Sequence, residues 1–459
     1  MSAPLASAVS TSDEQGARRI LCLEQGDEAG RDAVRRVATG VDRSILPSVV
    51  EQHVDEANSL WMVRNHLISA PHWGIRDLER HDARLEAHLH GLRLAGEAGW
   101  ELCSGLLESN YPEDMFAPAV LAFEKGADDR VREVLAAVRQ DKKKARTVIS
   151  ALGWLTYEQA EPHIGNFLAS ESGFHRYIGI AASALHRRDT GDWLDAALDD
   201  DDQLLKARAL RAVGELGGRE GKLTSKIREY LNADNEEVRF SAAWSAALIG
   251  DEEATEVLKS FVIPVSRCRE SALNVVVRRM EPARAIAWLK ELSSGRATIR
   301  LAVVGAGILG DPVLVPWLLE QMKSTELSRA AGEAFTLITG VDIELEGMKG
   351  FRPEGFDTGP SDDPDDYSVM MDADANLPWP DPDPIWKWWN LNAKRFPCGE
   401  RHFLGCRVSG EHLRQVLRTG CQRQRAAAAL ELAILEPGRP LFEVKAPGFR
   451  QLEKLKHTG

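Results

Sequence analysis

Three groups of residues in this 459-residue chain have types and spacings that chemistry uses. In the stretch HDARLEAHLHGLRLAGEAGW, His81, Arg84 and His88 are separated by three and four residues, which sets them on one face of a helix, with His90 roughly opposite His88. Imidazoles and a guanidinium on one face suit a ligand, or a metal if a carboxylate or thiolate converges on them. No such partner can be assigned, so polar caps and interface hydrogen bonds are the simpler use. Cys398, His402 and Cys406 are four apart, a soft-ligand stripe if the helix were unbroken, but Pro397, Gly399 and Gly405 break it. A fourth ligand at Cys421 would give a spacing that matches no zinc finger or ribbon, so neither metal nor cofactor is expected.

The third group is aromatic. Trp379, Trp386, Trp388 and Trp389 crowd into eleven residues at the end of SDDPDDYSVMMDADANLPWPDPDPIWKWW, where Pro378, Pro380, Pro382 and Pro384 are expected to hold the chain extended. Such a cluster must bury somewhere. Docking of the C-terminal residues onto the rest of the chain is favoured, with Trp386 and Trp389 one helical turn apart; the other use is an anchor for a partner protein, a role in which aromatics excel. The carboxylates of this stretch, Asp381 among them, lack the glycine-punctuated loop of a calcium hand and read as solvated and mutually repelling. GxSxG, HExxH and a Gly-rich phosphate loop are absent, and no catalytic residue is assigned.

What positions these groups is a repeat. Taking Arg146, Arg176, Lys206, Arg239, Arg269, Arg300 and Arg329 as marks gives steps of 30, 30, 33, 30, 31 and 29 residues. Three, four and seven positions after the marks the residues are small or apolar, as in Ala209, Leu210 and Val213 or Ala242, Ala243 and Ala246. That is one buried helical face. Gly217, Gly250, Gly310 and Gly340 suit the left-handed residue that closes a helix, and acidic turns such as Asp199 to Asp202 and Asn232 to Glu237 supply caps for the marked helix. Neither helix of such a unit buries its face alone, so pairs must stack into a right-handed α-solenoid. The pattern extends outward to Arg84, Phe116 and Arg425, the last read as a terminal repeat that caps the stack.

Charge sharpens the division. The 57 basic and 70 acidic residues leave a net charge of -13, but residues 353–385 hold ten carboxylates and no Lys or Arg, so the other 426 residues carry only -3. General nucleic-acid or membrane binding is disfavoured. Paired arginines such as Arg187, Arg188, Arg278 and Arg279 read as a solvated face. Six scattered cysteines and the start MSAPLASAVSTSDEQG point to a reducing, cytoplasmic setting without a classical signal.

The fold class expected is therefore all-α: a solenoid of about 30-residue repeats, interrupted by an acidic Pro-rich linker before a C-terminal helical capping module. Its parts are an N-terminal tail at 1–44, a helical capping module at 45–115, the solenoid at 116–340, the linker at 341–385 and the C-terminal module at 386–459. The repeat resembles the short HEAT-like repeat first associated with phycobilisome lyases, over roughly Phe116 to Gly340.

The runs LWMVRNHLISAPHWGIRDLERHDARLEAHLHGLRLAGEAGW, NLPWPDPDPIWKWW, RQRAAAALELAI and GRPLFEVKAPGFRQ resemble the two ends of a bacterial family of uncharacterised proteins with HEAT-like repeats, commonly encoded in type VI secretion neighbourhoods beside spike-tip, PAAR-like and adaptor proteins. The positions that carry this resemblance include His81, Arg84, His88, Trp379, Pro380, Asp381, Trp388, Trp389, Arg425, Phe442 and Pro447. It implies a cytoplasmic, non-enzymatic accessory or adaptor protein whose partner is a type VI effector, spike tip or adaptor. The alternatives are a HEAT-repeat enzyme of lyase-like or modifying type, centred on His81, Arg84 and His88, and, more weakly, a nucleic-acid-binding solenoid.

Overall fold

A computed structural model describes residues 45–218, 222–356 and 372–457. The tail expected at 1–44 and most of the acidic stretch, 357–371, lie outside the described residues. The chain divides into two compact units, residues 1–49 and 50–459, and the first contributes only residues 45–49 to the description.

An N-terminal pair, α1 (Pro47–Leu67) and α2 (Ile75–Ala95), is followed by α3 (Glu97–Ser104) and then by a regular alternation. Its first half runs α4 (Phe116–Lys125), α5 (Asp128–Val138), α6 (Lys142–Trp154), α7 (Tyr157–Leu168), α8 (Gly173–Leu185), α9 (Asp192–Asp199) and α10 (Gln203–Glu215). The second half runs α11 (Lys222–Glu229), α12 (Glu236–Leu248), α13 (Glu252–Lys259), α14 (Arg269–Arg279), α15 (Pro282–Ser293), α16 (Ile299–Leu309), α17 (Val315–Gln321) and α18 (Ser328–Thr339). The even-numbered helices from α6 to α18 carry the seven sequence marks, and they stack on one another in order. This is an all-α solenoid.

Each unit forms for reasons written in its own residues. Asp141, Asp202 and Asn235 cap α6, α10 and α12, accepting from the backbone N–H of Lys143 at 2.7 Å, Leu204 at 2.9 Å and Glu237 at 3.0 Å. The small residues after the marks are almost all buried, because Ala, Gly and Ser let neighbouring helix backbones approach closely. Gly217, Gly250, Gly310 and Gly340 have φ of 87, 104, 76 and 74°, the positive range that favours glycine. One continuous apolar core runs from Val50 to Leu309, and separate clusters hold the last pair and the C-terminal residues.

The mark at Arg84 does not follow this rule. Ala87 is exposed and His88 and Gly91 are half-buried, because the buried stripe of α2 is Leu78, Leu85, Leu89 and Leu92. Beyond the solenoid lie α19 (Pro382–Asn392), a hairpin of β1 (His402–Phe403) with β2 (Cys406–Arg407), α20 (Gly410–Thr419), α21 (Gln422–Leu435) and α22 (Gly448–His457). Pro382 and Pro384 sit in the first turn of α19 rather than in extended chain: Asp381 caps that turn, and a proline there removes only an N–H that would have no helical partner.

Candidate functional site

The three members of the N-terminal group have different surroundings. His81 is buried and donates its Nε2–H to the Leu60 carbonyl at 2.9 Å, with its ring edge-on to Trp73, so it ties α2 to α1. Arg84 is exposed. His88 is half-buried, its Nδ1 3.1 Å from Nδ1 of His53, so one ring donates and the other accepts. Burial, with His53 and Arg84 nearby, holds the His88 imidazole below the usual histidine range, and Glu56 opposes that. Arg84, His88, His53 and Glu56 thus share the outer flank of the α1–α2 pair, and His81 belongs to its interior.

Cys398 and Cys406 are exposed, while His402 is buried on β1 with its Nδ1 against the Glu400 carbonyl at 3.0 Å. They lie in loop and hairpin, not along a helix. Among the described residues no group of three His, Cys, Asp or Glu side chains could hold a metal ion.

Two carboxylates of the acidic stretch are paired rather than solvated, against what its composition suggested, while Glu354 and Asp383 are exposed. Asp374 accepts two hydrogen bonds from Arg300, at 2.8 and 2.6 Å, and Asp372 accepts one from Arg329 at 2.6 Å. Arg329 also donates to the Asp374 carbonyl at 2.9 Å, and its guanidinium lies 4.6 Å from the Trp379 ring and 5.3 Å from that of Phe356. Two repeat marks therefore hold Asp372 and Asp374, a pairing that composition alone cannot reveal because Arg300 and Arg329 lie 74 and 43 residues before their carboxylates. Trp389 is buried and stacks with Phe396, and Trp388 meets Phe335 of α18 edge-on, whereas Trp386 is 42% exposed.

The largest constellation was not legible as a motif. From the hairpin to α22, the C-terminal residues land on the C-terminal ends of α18, α16, α14, α10, α8 and α6. The backbone N–H groups of His402, Leu404 and Gly405 donate to the carbonyls of Gly310, Leu337 and Ile338, at 2.8, 2.6 and 3.1 Å. Glu431 takes a two-pronged bond from Arg401, at 2.8 and 2.7 Å, and pairs with Arg278 at 3.0 Å. Burial pushes Arg278 down to about 10, still protonated at neutral pH. Arg187 reaches Glu443 at 2.9 Å, and Leu441 donates its N–H to the Glu215 carbonyl at 2.9 Å. Arg450 donates to the carbonyls of Gly153, Trp154 and Leu155 at 2.8, 2.7 and 2.6 Å. Arg187 and Arg278 are accordingly seam residues rather than a solvated face.

The seam ends on the N-terminal pair. Arg64 grips Asp82 at 2.7 and 3.1 Å and donates to the carbonyls of Lys445 and Ala446, while Asp82 also accepts from the Gly448 N–H at 2.7 Å. One guanidinium ties three places: Arg423 bonds Glu333 of α18 at 3.0 Å, the Ala373 carbonyl at 2.7 Å and the Ser69 carbonyl at 3.0 Å. The available signal was the run GRPLFEVKAPGFRQ, which is the segment that threads these contacts.

The family model for HEAT repeats matches residues 191–277, the stretch from α9 to α14. No curated protein matches the chain. The chain is thus an all-α helical repeat protein with HEAT repeats in its matched stretch, an architecture commonly used for protein interaction, and among the described residues no helix is long and apolar enough to cross a membrane.

Proposed function

We propose that this chain is a non-enzymatic protein-binding scaffold: a cytoplasmic accessory or adaptor protein of a type VI secretion system that handles effector or spike components. The repeat architecture supports the scaffold half of this reading, and the resemblance of the end runs supports the secretion half. One observation carries it most directly: a single edge of the solenoid already holds about fifty residues of protein chain, with arginines on both sides, Arg187 of the solenoid and Arg401 and Arg450 of the bound segment, aimed at the other's backbone carbonyls, and with glycines that admit backbone. The partner surface is then one the chain's own C-terminal residues leave open. Trp386, exposed on α19, and Arg84, exposed on α2, are the members of the sequence-derived set that remain available.

The test is crosslinking mass spectrometry on the native complex from a secreting strain, with wild-type chain and Trp386→Ala in parallel. Crosslinks to a spike, effector or adaptor protein that fall off in the variant are expected. Recovery of none of these by folded bait overturns the reading.

A further inference from the structure

We infer that the groove between α5, α7 and the start of α8 is a binding site for a small organic anion with a flat apolar body. It lies among the array's first units and uses none of the residues of the seam described above. The groove has a volume of about 420 Å³ and adjoins a second hollow of about 220 Å³, with Leu135 and His175 common to both. Spaces of this size hold metabolite-sized ligands.

Its floor is apolar. Val131 and Leu135 of α5 are only half-buried, and Phe167 of α7 faces them from the other wall. A row of rings runs along the site: Phe123 lies 5.0 Å from His163 and 6.1 Å from Phe167, which lies 5.8 Å from His175. Edge-to-face packing of this kind fixes the rings and gives a flat ligand a rigid wall.

Its rim is polar and cationic. His163 donates Nε2–H to the Phe123 carbonyl at 2.8 Å, and His175 bonds Ser170 Oγ through Nδ1 at 3.2 Å. Each ring thereby has one nitrogen fixed on protein, and the other makes no hydrogen bond among the described residues. Arg132 and Arg139 stand at the mouth, and Asp128 is the single carboxylate among the residues lining the two hollows. Two permanent cations and two imidazoles against one carboxylate select an anion.

The backbone beside the second hollow is strained in a way no other described junction repeats. Arg139 and Gln140 are consecutive non-glycine residues with φ of 45 and 64°. L-residues avoid this region, and strain held at a lip is a feature of ligand clamps.

The probe is 8-anilinonaphthalene-1-sulfonate, with the uncharged N-phenyl-1-naphthylamine as its comparison. Calorimetry on the full chain is expected to give one saturable site for the sulfonate, at least 10-fold tighter than for the neutral probe. Leu135→Trp, which fills the groove, is expected to weaken sulfonate binding at least 10-fold. Arg132→Glu changes an exposed side chain, so it reads charge without depending on the core; it is expected to abolish the preference for the anion. Unsaturable binding, equal affinity for the two probes, or a preference that survives Arg132→Glu overturns the inference.

Discussion

The middle of the solenoid and its last two units finish the same helix with different partners. In the middle, Arg176 and Arg239 turn their guanidinium groups onto carbonyls of the loop just before their own helix, Ser170 and Glu171 in one case and Ala233 and Asp234 in the other; Arg269 does the same to Pro264. In the last two units, Arg300 and Arg329 reach Asp372 and Asp374, delivered from far along the chain. The helix ends also differ, though Gly217 of the middle sides with the last two units. Gly250 has open space where a Cβ would stand, whereas Gly217, Gly310 and Gly340 have the backbone of Arg439, His402 and Leu404 there. One repeat position therefore serves two purposes: local closure, and reception of a distant segment. Only the second depends on the rest of the chain being in place.

The largest test of that difference compares two carboxylates. Asp82→Ala strands buried Arg64 and releases the Gly448 N–H, and should cost ~3–5 kcal/mol in urea unfolding. Asp200→Ala breaks the more exposed Arg176 pair of the middle region and should cost about 1 kcal/mol or less. Equal costs would dissolve the distinction.

Glycines give the next contrast. Gly310→Ala combines a positive φ with a clash against the His402 carbonyl and should lose ~3 kcal/mol, while Gly250→Ala, strained but unobstructed, should lose about 1 kcal/mol by the same measurement.

Titration offers a third. His186, whose Nε2–H donates to the Leu152 carbonyl, is lowered to about 4, by burial first and then by Arg450 and Lys454 of α22. The folded state disfavours the proton that the unfolded chain binds near the ordinary histidine value. Stability from this group is complete above that value and is lost as pH falls toward 4. Going from pH 7 to 5 should remove ~2 kcal/mol, and His186→Gln should flatten that part of the profile.

A smaller difference is expected between Arg329→Lys and Arg269→Lys. The first loses a forked, ring-stacked geometry and should cost ~2 kcal/mol, against about 0.5–1 kcal/mol for the second, by thermal unfolding. Smallest of all, Trp386→Ala should leave stability within about 0.5 kcal/mol of wild type, because the side chain is half in solvent.

Much of this was readable beforehand where causes are local. The loop carbonyls that Arg176, Arg239 and Arg269 take lie within five or six residues of each, and the caps at Asp202 and Asn235 act within three, so spacing exposes them. The His81, Arg84 and His88 trio was legible as one flank of a helix but not in its depths, because burial is set by where α1 crosses α2. One correction is local, the first helical turn at Pro382 and Pro384, and the others are long-range. Asp374 looked solvated because its partner is 74 residues away, and Arg278 looked exposed because Glu431 arrives from another part of the chain. The groove beside His163 and His175 left no trace, since it is a gap between helices rather than a pattern along one.

The sequence by itself determined the unit: a helical pair of about thirty residues, its buried face, its caps and its closing glycines. These follow from period, side-chain size and backbone preference, which act over one or two turns. Only the tertiary structure decided which edge of the stack the C-terminal residues occupy, which marked arginines leave their own loops, and which tryptophan stays outside. The reason is that electrostatic and hydrogen-bond pairing depends on distance in space, and a stack of nearly identical units offers many equivalent edges until a distant segment settles on one.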